Sequence, residues 1–145
     1  MWRALSHLFH LNGAMEIIPA IVISMERHSE RYTETRQRLL KRGVKSVTRF
    51  VGIDGFDDNS VKIFESMRIV MGDQLANGPA GCAASHISIY KRMIDRGVKE
   101  LLIFEDDAVP CVDFVQKLDK LRPKMRDYDM VLLGHQKPYD PALQT

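Results

Sequence analysis

The stretch Leu101-Leu102-Ile103-Phe104-Glu105-Asp106-Asp107-Ala108 decides the reading of this chain. Four apolar residues lead straight into three carboxylates. A short, continuous apolar run flanked by charge reads as a strand buried on both faces, as in a parallel sheet. Acids at the C-terminal end of such a strand lie where open α/β sheets bind ligands. Side-by-side carboxylates repel one another. A hard divalent cation such as Mg²⁺ or Mn²⁺ relieves that repulsion with the oxygen ligands it prefers. A solvated acidic turn after a buried strand accounts for the same residues equally well.

Outward from this run, strand and helix signals alternate. Residues 17–25 form a strand candidate around the mostly β-branched Ala20-Ile21-Val22-Ile23. Ser29 suits an N-cap for a helix over 30–42, closed by Gly43 at C′. Its apolar face is thin (Tyr32, Leu39, Leu40), which predicts a wet outer side. Residues 47–53 make a second strand, ended by Asp54-Gly55. Residues 57–71 mix helical spacing (Val61, Phe64, Met67) with polar residues, and 72–81 read as a loop. A helix over 80–96 places Ala83, Ile87, Tyr90 and Ile94 on one face, and Gly97 ends it. A third strand over 99–104 precedes a helix over 112–121. That helix turns Phe114, Val115 and Leu118 inward, with Pro123 beyond its end. Residues 128–133 give a fourth strand, stopped by Gly134. This order predicts an α/β fold, a mostly parallel sheet flanked by helices. No helix follows the fourth strand before Thr145, so the fold reads as incomplete. The exposed flank of that strand predicts self-association.

The chain has 145 residues, enough for one domain. Residues 1–14 read as a lead-in, 15–136 as the domain and 137–145 as a tail. Hydrophobic content of 45% and charged content of 28% are those of an ordinary globular protein. A net charge of +2 is too small to argue for nucleic acid as a partner. No stretch approaches the roughly 18–20 apolar residues of a transmembrane segment. The N-terminus lacks the apolar core of a signal peptide. The expected location is cytoplasmic or peripheral to a membrane. Cys82 and Cys111 make neither a disulfide framework nor a zinc-type cluster by spacing. Cys82 reads as a small buried residue rather than a nucleophile.

Three further segments carry chemistry. Arg27 and Arg31 follow the first strand at the start of a helix, where guanidinium forks and the helix N-terminus suit an anionic ligand. Pairing with Glu26 and Glu30 on a wet surface is the competing account. In Gly78-Pro79-Ala80-Gly81-Cys82-Ala83-Ala84-Ser85-His86, the small residues leave room for a close neighbour, either backbone or ligand. Ser85 and His86 supply hydrogen bonds one turn in, to a ligand or within the core. Asp54 suits either a ligand's ribose or base, or an Asx-turn with Gly55.

Taken in order, Val22-Ile23-Ser24-Met25-Glu26-Arg27 with Arg31, Phe50 to Gly55, Gly81-Cys82-x-x-Ser85-His86, Glu105-Asp106-Asp107 and Tyr128 to Gly134 resemble glycosyltransferase family 25. This is the group of lipopolysaccharide-type and collagen-type galactosyltransferases. The Gly-Cys-x-x-Ser-His element followed by Glu-Asp-Asp is the specific part. The resemblance implies a GT-A-like nucleotide-diphospho-sugar transferase fold. It also implies metal-dependent, inverting transfer of galactose or glucose from a UDP-sugar donor to a saccharide or protein-linked acceptor. Carried over by position, Asp107 is the contact for Mn²⁺ (or Mg²⁺). Arg27, Arg31, Asp54, Ser85, His86, Glu105 and Asp106 are on the nucleotide-sugar side, with Glu105 at the ribose or acting through water. Ser24 stands where the family usually has asparagine. Such domains continue past Gly134 with the acceptor site, and the base that an inverting transfer requires is not identifiable here. A catalytically weak or inactive module that binds nucleotide-sugar without transfer is therefore the alternative. A phospho-receiver domain shares the third-strand motif but needs roughly 100 further residues, and too few follow Asp107.

Overall fold

The computed structural model describes residues 17–57, 60, 63, 77–125 and 127–134. They belong to two compact units that divide between Val112 and Asp113. The expectations for 1–14 and 137–145, and nearly all of those for 57–76, lie outside the described residues.

The first unit runs β1 (Ala20–Ser24), a 3-10 turn (Glu26–His28), α1 (Ser29–Lys41), β2 (Val47–Val51), α2 (Asn77–Asp95) and β3 (Leu102–Glu105). The strands form a parallel sheet in the order β2-β1-β3. Ile23 lies opposite Phe50 on one side and Glu105 on the other. β1 is central and buried along its whole length, which is why it is the most uniformly apolar strand. The predicted α/β class and parallel pairing are present, with the strands shorter at their ends than the sequence pattern suggested.

Side chains alternate across the sheet. Ile21, Ile23 and Phe50 pack with Ile89 of α2, and Met93, Leu101 and Ile103 close around them. The opposite face carries Val22 and, in register with it, Arg49 and Phe104. Arg49 stacks over Tyr32 of α1, 5.2 Å from the ring centre. The two helices therefore cover opposite faces. Leu39 is the buried apolar anchor of α1 and Leu40 is exposed, which fits the thin apolar face expected for that helix.

Helix ends follow local chemistry. Ser29 is the first residue of α1 rather than its cap; His28 occupies the cap position without a side-chain bond. Ser24 Oγ donates to the His28 carbonyl at 3.2 Å, tying the end of β1 to the turn that precedes α1. Gly43 follows α1 with φ of 91° and Gly97 follows α2 with φ of 62°. These are left-handed C′ positions that glycine adopts without steric cost.

α2 begins at Asn77, inside the stretch expected to be a loop. Pro79 is tolerated there because first-turn amides need no helical partner. The buried face is also offset from the predicted one. Gly81, Ala84, Ser85 and Ile89 point inward, whereas Tyr90 and Ile94 are exposed. Selecting a face by its large apolar residues misses a helix whose contact stripe is made small so that backbones approach. A Cβ on Gly81 would lie 2.6 Å from the Gly55 nitrogen and would also strike the Ile53 carbonyl oxygen.

In the second unit, α3 (Phe114–Met125) has Leu118 as its buried residue and holds Pro123 within its last turn. It thus extends past the predicted end at 121, because one missing N–H near a terminus removes a single helical bond. The predicted fourth strand is absent. Residues 128–134 are described and none is in a strand, while Met130, Leu132 and Leu133 are exposed. A short apolar run does not encode the neighbouring strand that would make it part of a sheet.

Gly81→Ala is expected to lower stability by about 1–3 kcal/mol through backbone overpacking. Gly78→Ala, with nothing within 4 Å of its added Cβ, should be neutral or stabilising by up to about 1 kcal/mol. Urea denaturation of both variants checks this; equal midpoints would remove the close-approach explanation.

Candidate functional site

The strand order places β2 and β3 on opposite sides of β1, and the two crossovers, through α1 and through α2, cover opposite faces of the sheet. Open α/β sheets bind ligands beyond the C-terminal ends of their strands. The residues singled out in the sequence gather there in three groups.

The first group is at the exits of β1 and β2. Arg27 pairs through Nη1 with Asp54 Oδ2 at 2.5 Å. The other Asp54 oxygen accepts the Phe56 amide at 3.1 Å, so the Asx-turn and the arginine contact coexist. The Arg27 hydrogen bond first, and the Phe56 amide second, hold the Asp54 carboxyl below its ordinary 3.8. Arg49 reaches from β2 to donate to the carbonyls of Met25 and Glu26 at 2.5 and 3.2 Å, fixing the turn that carries Arg27. A cleft of about 600 Å³ opens here, with Met25, Arg27, Gly52 and Asp54 among its lining residues.

The second group is at the exits of β1 and β3. Arg31 Nη2 contacts Asp106 Oδ1 at 2.5 Å and Asp107 Oδ2 at 3.8 Å. His28 Nδ1 lies 3.7 Å from the other Asp106 oxygen. Thr35, fully buried, donates to the Asp106 carbonyl at 2.6 Å. Asp106 is buried and Asp107 exposed. Arg27 and Arg31 therefore pair with the candidate site acids rather than with Glu26 and Glu30.

The third group lies on the α2 side. Ser85 is buried and uses its hydroxyl twice: it accepts the Ile53 amide at 2.8 Å and donates to the Gly81 carbonyl at 2.8 Å. Its neighbour His86 places Nε2 3.8 Å from Glu105 Oε1. Cys82 donates from Sγ to the same oxygen at 3.6 Å. Desolvation first, then the Glu105 charge and hydrogen bond, push the Cys82 thiol above its ordinary value. Cys82 is exposed, not buried as expected, because the inward stripe of α2 passes through Gly81, Ala84 and Ser85.

The acidic triplet is thus divided. Glu105 turns to α2, Asp106 to α1, and Asp107 to solvent. Among the described residues, the group of candidate metal ligands with atoms all within 4.8 Å of one another is Cys82, His86 and Glu105. Asp107 is not part of it. The sequence reading missed Thr35, Arg49 and this triad; the i, i+4 spacing of Cys82 and His86 was the available signal. Among the described residues, no helix is long and apolar enough to cross a membrane.

The profile of glycosyltransferase family 25 (LPS biosynthesis protein) matches residues 17–143, and the chain belongs to this family. It is 31% identical over 70 residues to procollagen galactosyltransferase 1 of Danio rerio, covering 46% of this chain and 12% of that protein. The inactive glycosyltransferase 25 family member 3 of Homo sapiens is 32% identical over 78 residues, covering 51% of this chain and 13% of that protein. A glycosyltransferase 25 family member of Drosophila pseudoobscura pseudoobscura is 28% identical over 128 residues, covering 80% of this chain and 20% of its own length. The matched segments thus span 12% to 20% of these relatives' length.

Arg31→Ala is expected to destabilise the fold by about 1–3 kcal/mol, because it leaves the buried Asp106 carboxylate without its charged donor. Arg27→Ala, at an exposed pair, should change stability much less. Thermal unfolding of the two variants measures the difference, and equal midpoints would show Asp106 to be satisfied without Arg31. The lowered Asp54 pKa carries its own sign. Its contribution to stability is present above the ordinary 3.8 and is lost as pH falls through the lower folded value. In an NMR titration, Arg27→Ala should raise the Asp54 midpoint; an unchanged midpoint would rule out the ion pair in solution.

Proposed function

We propose that the chain binds the nucleotide-sugar donor of a hexosyltransferase at the C-terminal ends of β1 and β3. The reaction assigned is transfer of galactose or glucose from a UDP-sugar to a glycan or protein-linked acceptor. It proceeds with inversion, on a GT-A-like scaffold, and with a divalent cation. The observation carrying this reading is the Arg31, Asp106 and Asp107 array beyond the C-terminal ends of β1 and β3. Family membership supports the transferase class.

The donor set fits a hard cation at one residue. Asp107 offers an exposed carboxylate, and Mn²⁺ or Mg²⁺ commonly takes one or two carboxylates and fills its other positions with water and phosphate oxygens. Asp106, turned inward onto Arg31, is a poorer candidate. When bound, such a cation supplies neutralisation of the diphosphate leaving group. Asp106 orients Arg31 beside that position. Arg27, held by Asp54 and by the turn that Arg49 fixes, lines the nucleotide cleft. Glu105 and His86 border the sugar end from the α2 side. Ser85 acts as a positioning residue, tying α2 to the end of β2.

A binding module without transfer is the second reading, favoured by the relative named as inactive. Calorimetry with Mn²⁺ and UDP tests the donor site. Arg27→Ala should weaken UDP by about 1–3 kcal/mol, roughly 5- to 150-fold in Kd. Asp107→Asn should weaken Mn²⁺·UDP while leaving the fold intact. Absence of UDP binding by the wild-type chain would sink the donor site, and equal Mn²⁺·UDP affinity in Asp107→Asn would remove Asp107 from it. A donor-consumption assay with saccharide acceptors then separates transfer from binding alone.

A further inference from the structure

Cys82 and His86 stand one helical turn apart on α2, and Glu105 ends β3 facing them. We propose that these three side chains form a site for a borderline-soft divalent cation, Zn²⁺, on the α2 side of β3, opposite Asp106 and Arg31. Tetrahedral zinc with Zn–S of about 2.3 Å and Zn–N and Zn–O of about 2.0–2.2 Å places its ligand atoms roughly 3.3–3.6 Å apart. Here Sγ and Nε2 lie 3.6 and 3.8 Å from Glu105 Oε1, and all three ligand atoms fall within 4.8 Å of one another. Modest side-chain rotations close the remaining gap.

The backbone holds this arrangement independently of any metal. Gly81 and Ser85 seat α2 against residues 53–55, which fixes the helix turn carrying both Cys82 and His86. Strand alternation aims Glu105 at that turn. The other imidazole nitrogen also has a partner: His86 Nδ1 lies 3.4 Å from Tyr90 Oη, with the rings 6.0 Å apart. With Nε2 on a metal, Nδ1–H donates to Tyr90, the outer-shell contact that fixes a ligating histidine's tautomer. Thiolate and imidazole select zinc over Mg²⁺ and Mn²⁺. On binding, the Cys82 S–H bond breaks, its proton leaves to solvent, and a sulfur–metal bond replaces the hydrogen bond to Glu105. Three protein ligands, two of them on exposed residues and His86 half-buried, leave a fourth position for water or a substrate oxygen. Zinc binding here needs no nucleotide, so its failure leaves the donor reading untouched.

The test is a Co²⁺ titration of the 145-residue chain without nucleotide, followed by displacement with Zn²⁺. The expected result is one equivalent of tetrahedral Co²⁺ with a sulfur-to-cobalt charge-transfer band, displaced by zinc. Cys82→Ser should abolish that band. Cys82→Ser and His86→Gln should each weaken zinc by more than the roughly 10–100-fold of an outer-shell change. Tyr90→Phe should keep the band and weaken zinc about tenfold. Cys111→Ser should match wild type. A wild-type spectrum without sulfur ligation, or a band that survives Cys82→Ser, overturns the site. Should Cys82→Ser fail to fold, alkylation of the wild-type chain decides: zinc must slow modification of Cys82 and leave Cys111 unchanged, and equal rates overturn the proposal.

Discussion

The site depends on one geometric constraint, the point at which β3 gives way to a turn. Glu105 is the last strand residue and shares the α2 face with Ile103, whereas Asp106 and Asp107 stand in the turn closed by the Ala108 amide on the Glu105 carbonyl. The sheet is covered on both faces, so each direction meets a different helix. Glu105 finds the Cys82–His86 turn of α2 and Asp106 finds Arg31 and Thr35 of α1. Asp106 therefore has a guanidinium partner without any bound ion, and the same guanidinium stands 3.8 Å from the exposed Asp107.

This division explains why Arg31 has two connected roles. Its guanidinium sits between a buried acid and an exposed one. The buried contact fixes the fork, and half of the side chain stays exposed beside Asp107. Arg27 has a looser version of the same arrangement with Asp54, and the turn that presents it is fastened from β2 by Arg49. Both arginines are thus oriented before any ligand arrives, which lowers the ordering cost of recognising an anion.

Much of this was legible in the sequence. The apolar runs of β1, β2 and β3 specified a parallel sheet, and Gly43 and Gly97 marked two helix ends because only a left-handed terminus calls for glycine there. The inward face of α2 was not legible, because Gly81, Ala84 and Ser85 bury little surface and carry weak periodicity. Residues 128–133 gave a false strand, since Met130 to Leu133 carry the apolarity of a strand without naming a neighbour. The candidate site residues were named one by one from the sequence. Their pairing was hidden because Arg27–Asp54 and Arg31–Asp106 are contacts between distant segments. The Cys82–His86 spacing was visible, but its third member, Glu105, becomes a partner only once β3 is set beside α2.

The hydroxyl of Ser85, shared between Ile53 and Gly81, joins the end of β2 to the beginning of α2. Gly55 and Gly81 bring the two backbones together at the same place. Sequence between Gly55 and Asn77 is thereby clasped at its neck. Asp54 on the strand side and His86 on the helix side are held at fixed stations by a clasp made of two close backbones and one hydroxyl.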